Sequence, residues 1–171
     1  MNNLKAKLKK QGGFTLIEML IVVAIIAILI AVSIPLVNGA LERSREATDA
    51  ANERSFKAEL LISYTLGEFD AVGGTSSDFT AGNIYAYDAA NGALLDTGAT
   101  GYDAPDAYGK STDYEGTDGI NRTTMILYGS VDADDGTVVM KWAASAPANF
   151  AALEALSDDT NGLLYTKMVA N

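Results

Sequence analysis

The sequence contains no cysteine and no histidine, and its 12 lysines and arginines are outnumbered by 22 aspartates and glutamates. Disulfide frameworks and the common nucleophile, base and zinc-site constellations are therefore excluded, and any catalysis would have to rest on carboxylates, lysine or tyrosine. The acidic excess disfavours general nucleic-acid binding, because phosphate contacts need clustered positive charge. We predict a protein that is not an enzyme, needs no cofactor and folds by packing alone.

One long apolar run, residues 14–37, follows directly after Gly12 and Gly13. At 1.5 Å per residue, a helix of this length spans roughly 36 Å, which is enough to cross a bilayer. The run contains a single carboxylate, Glu18, although an acidic side chain inside a membrane costs on the order of a few kcal/mol. A helix that served only as an anchor would gain nothing from this residue, so we expect Glu18 to have a partner.

The segment before the apolar run is basic and has no acidic residue, which is typical of a leader peptide. Its lysines are Lys5, Lys7, Lys9 and Lys10. An ordinary signal peptidase would cut after the apolar run, at the loose small-x-small site 31–33, and leave Ile34 as the first residue. A cut between Gly13 and Phe14 would instead create an α-amino group one helical turn from Glu18.

The residues GFTLIE at 13–18, the apolar residues after them and then Pro35 resemble the processed N-terminus of type IV pilins and pseudopilins. The resemblance is close over residues 13–35 and looser to Leu66. It implies that a prepilin peptidase cuts after Gly13 and that Phe14 becomes N-methylated. It also implies that Glu18 pairs with the Phe14 amine of a neighbouring subunit, as assembly machinery in the inner (cytoplasmic) membrane packs the helices into a filament.

The same resemblance implies a location for each part of the chain. Residues 1–13 would be a leader that stays in the cytoplasm, in keeping with the positive-inside tendency. The single-pass precursor would wait in the membrane, and the mature protein would be a homo-oligomer in an extracellular pilus. Four of the 12 basic residues lie in the leader, which leaves eight against 22 acidic ones. The mature chain is therefore predicted to be strongly acidic.

The chain differs from common members of this family at position 27, where many carry a glycine and this chain has Ala27. In such pilins the stretch from that glycine to the proline can lose helicity in the filament. Alanine favours a helix over glycine by up to about 1 kcal/mol, so melting between Ala27 and Pro35 is less expected here. Pro35 itself removes one helix hydrogen bond and predicts a bend.

The apolar run continues without a break into an amphipathic segment, residues 38–66. Small and apolar side chains recur there and predict a buried stripe, formed by Ala40, Leu41, Ala47, Ala51, Phe56, Leu60, Ile62 and Leu66. Charged side chains occupy the other positions, several in opposite-charge pairs. If residues 14–66 form one helix, it is about 80 Å long. Its apolar half is predicted to protrude from a head formed by residues 67–171.

Turn residues and short β-prone runs predict an α+β head with a small antiparallel sheet on the amphipathic half of the helix. Ile84, Tyr85 and Tyr87 indicate one strand before the Asn91-Gly92 turn. Residues 123–131 and 137–143 predict a hairpin, a short helix follows Pro147, and residues 163–169 predict a last strand.

The acidic loops of the head offer only weak metal candidates. Asp132, Asp134 and Gly136 resemble part of a calcium loop, but the spacing of an EF-hand fails and a plain acidic turn is favoured. A second group is more often a solvated loop than a cation site, and it consists of Asp103, Asp106, Asp113, Glu115 and Asp118. We therefore predict no metal site. For the tyrosines of the head, packing in the core or at its rim is favoured over an adhesive surface.

The preferred hypothesis is the major pilin of a type IV pilus, which serves adhesion or twitching motility. A pseudopilin of a type II secretion or competence DNA-uptake system shares the same N-terminus and is the alternative within the family. A secreted or membrane-anchored binding protein with an ordinary signal sequence is the alternative from a different class.

Overall fold

A computed structural model describes residues 13–71, 75–112 and 121–156. The chain divides into two compact units, one ending at Asn38 and the other beginning at Gly39. Helix α1, Leu16–Leu66, contributes to both units and continues through Pro35. The prediction of one long N-terminal helix is confirmed. The bend at Pro35 stays a prediction.

The described part of the N-terminal unit consists of the first half of α1 and the three residues before it. Every side chain from 13 to 38 is exposed, and nearly all of them are apolar. By length and composition, α1 could cross a membrane. An exposed apolar surface of this extent is typical of a segment that contacts lipid or other protein chains.

The C-terminal unit contains a six-stranded sheet in the order β2-β1-β4-β3-β5-β6. The strands are β1 Glu68–Ala71, β2 Thr75–Asp78, β3 Tyr85–Asp88, β4 Ala93–Asp96, β5 Ile126–Val131 and β6 Val138–Ala143. Neighbours are antiparallel except β1 and β4, which are parallel through the pair Ala71 and Leu94. The α+β prediction is confirmed, with a sheet that is mostly rather than wholly antiparallel.

Strand β3 and the hairpin of β5 and β6 lie where the sequence predicts them. The short helix α2, Phe150–Glu154, also follows Pro147 as predicted. It begins after Asn149, whose side chain accepts a hydrogen bond from the Ala152 amide at 2.9 Å. The predicted strand at 163–169 lies outside the described residues.

Side chains alternate between the two faces of the sheet, and both faces are covered. On one face, Phe56 and Leu60 of α1 pack with Tyr85, Leu127 and Trp142. The other face forms a second core, made of Ile84, Ala86, Ile126, Tyr128, Val139 and Leu153. Burial of Tyr85, Tyr87 and Tyr128 confirms the predicted core role of these tyrosines, whereas Tyr114 lies outside the described residues.

The predicted buried stripe of α1 is wrong at six of its eight positions. Only Phe56 and Leu60 are buried, while Leu41, Ile62 and Leu66 are 47%, 52% and 66% exposed and the three alanines are also exposed. The helix approaches β5 so closely at Phe56 that a Cβ on Gly129 would lie 2.7 Å from the Phe56 ring. This contact sets the helix rotation, and the face it buries also carries Glu42, Asp49, Glu53 and Ser63.

Candidate functional site

The first turn of α1 holds Glu18 in a reciprocal cap with Thr15. The Thr15 amide and hydroxyl donate to Glu18 Oε2 at 2.8 and 2.7 Å, and the Glu18 amide donates to Thr15 Oγ1 at 3.3 Å. This is the capping-box arrangement, in which two residues three apart satisfy backbone donors that have no partner within the helix. The carboxylate also lies at the positive end of the helix dipole.

The cap fixes the carboxylate beside the predicted cleavage site. Gly13 and Phe14 directly precede the capping residue Thr15, and both are exposed. In the uncleaved chain Phe14 contributes a peptide nitrogen, whereas a cut after Gly13 would convert it to a charged amine within one turn of Glu18. The sequence analysis missed Thr15, although the spacing T-x-x-E was visible before the apolar run.

The acidic loops of the head bring no cluster of metal-ligating side chains together in the described residues. No group of three or more metal-ligating side chains occurs there, and Asp113, Glu115 and Asp118 lie outside the described part of the chain. Asp103 and Asp106 are exposed in the loop after β4. The Asp132 carboxylate accepts from the Asp134 amide at 2.7 Å, which is the local bonding of an ordinary acidic turn.

The helix also carries three buried carboxylates that sequence reasoning placed on its solvent face. Two of them bind residues 110–112, which belong to the segment 108–112 that we call the strap. Asp49 accepts from the Lys110 amide at 2.8 and 3.1 Å and from the Ser111 amide at 2.8 Å. Glu42 accepts from the Thr112 amide, and from the Thr112 hydroxyl at 2.7 Å. Three successive backbone amides of the strap therefore donate to α1.

The third carboxylate, Glu53, accepts from Trp142 Nε1 at 2.7 Å. Burial raises the pKa of Glu53 above its usual value of 4.5, and the Trp142 hydrogen bond and the Arg122 charge offset this only in part. Burial acts in the same direction on Glu42, but there the hydrogen bonds from Thr112 and Arg45 outweigh it, so the pKa of Glu42 lies below 4.5.

These opposite shifts predict opposite effects of removing charge at the two positions. A raised pKa means that the Glu53 contribution to stability is present below pH 4.5 and lost as the pH rises through the folded-state pKa. Glu53→Gln keeps an acceptor for Trp142 and should leave the free energy of unfolding at pH 7 unchanged or higher. Glu42→Gln should lower it by about 1.5–3 kcal/mol, because hydrogen bonds to a charged group are lost.

Urea unfolding of the full chain in detergent micelles, followed by far-UV circular dichroism at pH 7, measures both changes. Glu59→Gln is the matched control, because Glu59 lies on the same helix and is only half-buried. A loss in Glu53→Gln as large as that in Glu42→Gln would contradict the assignment.

Comparison with known families matches residues 8–34 to the prokaryotic N-terminal methylation motif. The matched range includes Gly13, Phe14, Thr15 and Glu18. Searches among curated proteins and solved structures found no match. In residues 8–34, the chain carries the N-terminal signature of type IV pilins and pseudopilins.

Proposed function

We propose that this protein is the major structural subunit of an extracellular type IV pilus. The observation that carries the proposal is the methylation motif at residues 8–34, whose single carboxylate lies in the first turn of an exposed apolar helix. A subunit that is processed before it assembles would have three features found here. They are a leader, a helix long enough to cross a membrane, and an acidic residue at the fifth position after the cut.

The proposed mechanism begins with a precursor held in the membrane by its apolar helix. A prepilin peptidase cuts after Gly13, and Phe14 is methylated. The membrane assembly machinery then brings subunits together so that Glu18 pairs with the Phe14 amine of a neighbour. An ion pair of this kind lowers the cost of carrying the carboxylate within an apolar phase. The apolar helices exchange lipid for one another and form the core of the filament.

A second exposed face of α1 supports helix packing beyond the apolar run. Uncharged side chains recur there every three or four residues: the small residues Ala40, Ser44, Ala47, Ala51, Ser55 and Ala58, and then Ile62 and Leu66. All eight are exposed. Such spacing forms a narrow seam on one side of a helix, and small residues allow another helix to approach closely. The seam gives the C-terminal half of α1 a surface suited to neighbouring subunits.

The filament hypothesis predicts long surface fibres built from this chain, which would serve adhesion or twitching motility. Cells that produce the protein at its native level should be imaged by electron microscopy with an antibody against the head. Label along long fibres, and loss of the fibres when the gene is deleted, would support a pilus. Fibres that appear only on overproduction would favour the pseudopilin alternative. Label confined to membranes, with no fibres under either condition, would contradict assembly.

A further inference from the structure

The strap, residues 108–112, is joined to the rest of the head along two edges. On the α1 edge, the Lys110, Ser111 and Thr112 amides donate to Asp49 and Glu42. On the other edge, Ser111 O accepts from the Arg122 amide at 2.9 Å, and the Ser111 hydroxyl accepts from Arg122 Nη1 at 2.5 Å. The strap thus lies between the helix and the segment that leads into β5.

Ionised groups take part in hydrogen bonds on both edges: the carboxylates of Asp49 and Glu42 on the α1 edge and the Arg122 guanidinium on the other. Hydrogen bonds to ionised carboxylates are about twice as strong as neutral ones. On the other edge, the Tyr108 and Gly109 amides donate to Met125 O at the longer distances of 3.3 and 3.4 Å. Gly109 also packs so closely on the Arg122 backbone that a Cβ at this position would overlap it. Attachment of residues 110–112 to α1 therefore depends on the charge of Glu42 and Asp49.

The strap covers aromatic side chains at one end of the helix-side core. The Tyr108 ring lies edge-on to Trp142, with centroids 5.3 Å apart, and edge-on to Tyr87 at 6.3 Å. Its hydroxyl accepts from the Leu127 amide at 3.2 Å. Trp142 is the only tryptophan in the chain and is 9% exposed. Removal of the strap would bring water to this side chain and leave the strand pairing of β5 and β6 intact.

In the described part of the chain, the charged groups near the two carboxylates belong to α1, to the strap (Lys110) and to the segment before β5. Asp113, which follows Thr112, lies outside the described residues. Arg45 donates to Glu42 at 3.1 Å, and Arg122, Glu53 and Arg54 surround the neighbouring turn. The depressed pKa of Glu42 means that its contribution to stability is present above pH 4.5 and is lost as the pH falls through the folded-state pKa. Acid therefore weakens the α1 edge of the strap.

We propose that the strap is an acid-released clasp. Protonation of Glu42 weakens the α1 edge, so that residues 108–112 separate from α1 and uncover Trp142 while the six-stranded sheet stays folded. The device is a local opening of the head within one subunit, and it does not depend on whether the chain forms filaments. Local openings of this kind have lower free energies than global unfolding.

The test uses the full chain in detergent micelles, with Trp142 fluorescence as the reporter. Glu53→Gln serves as the background, because titration of Glu53 beside Trp142 would alter the signal by itself. As the pH is lowered from 7 to 3, acrylamide quenching of Trp142 should rise before far-UV circular dichroism changes. If quenching rises only at the pH at which the circular dichroism changes, the proposal is overturned, because the strap would then not open separately from the sheet.

Hydrogen exchange at pH 7 provides a second measurement that does not depend on acid. In Asp49→Asn, protection of the strap amides, residues 110–112, should fall by about tenfold or more, while protection in β5 and β6 is kept. Glu59→Gln should match the unaltered chain at all of these amides. Unchanged strap protection in Asp49→Asn would overturn the proposal, and an equal loss in the strap and both strands would do the same.

Discussion

Cells that carry Glu18→Ala should hold the subunit in the membrane but assemble no filaments. Alanine removes the one carboxylate from the apolar run, and this change favours membrane insertion by on the order of a few kcal/mol. The subunit should therefore accumulate in the membrane fraction at normal levels. Filament yield, measured from sheared surface fractions and by electron microscopy, should fall to background because the neighbour's Phe14 amine has no acidic partner.

Two further variants separate the proposed ion pair from the helix cap. Glu18→Gln keeps an acceptor for the Thr15 amide and hydroxyl but removes the charge, so it should also abolish filaments. Thr15→Val removes the hydroxyl that donates to Glu18 at 2.7 Å yet keeps the carboxylate, so filaments should persist. If Glu18→Gln assembles filaments while Thr15→Val does not, Glu18 acts as a capping residue and the pairing is wrong.

A bulky residue at position 13 should block processing and, with it, assembly. In Gly13→Leu the leader, residues 1–13, should remain attached to all of the protein, because the resemblance to pilins implies a peptidase that recognises a small residue before the cut. A Cβ at Gly13 meets no atom within 4 Å, so the substitution should leave the fold of the precursor unchanged. Immunoblots should show only the larger precursor, and electron microscopy should show no filaments.

Gln11→Leu is the matched control for this experiment. It adds a similar apolar side chain to the leader two residues earlier and leaves the Gly13-Phe14 bond as it is. Its processing and filament yield should be normal. Equal cleavage of Gly13→Leu and Gln11→Leu would show that the peptidase does not require a small residue at position 13.

The parts of the fold that the sequence predicts are those with strong local signals. Helix α1 has a long uninterrupted pattern, and β5 and β6 are β-prone runs joined by a turn around Gly136, where φ is +72°. Strands β1, β2 and β4 were missed because their sequences, EFDA, TSSD and ALLD, lack the two β-prone tyrosines that mark β3, a strand of the same length. β2 reads Thr-Ser-Ser-Asp, which has no apolar alternation, so pairing with β1 rather than local preference makes it a strand.

The candidate site shows the same division between local and tertiary information. Glu18 was predictable because a lone carboxylate in an apolar run is energetically costly and is therefore expected to have a partner. The roles of Glu42 and Asp49 were not, because their partners at 110–112 lie some 60 to 70 residues further along the chain. On sequence alone such residues read as the solvated face of an amphipathic helix. Their burial follows from the contact of Phe56 and Leu60 with β5.

The most direct test of the central claim is the mass of the mature protein's N-terminal peptide, taken from filaments or, failing these, from membranes. Our account predicts that the peptide begins at Phe14 and carries one additional methyl group, which fragmentation places on the α-nitrogen. A mature chain that begins at Ile34 would show processing as an ordinary secreted protein and contradict the account. A chain that retains residues 1–13 in cells with an active prepilin peptidase would contradict it equally.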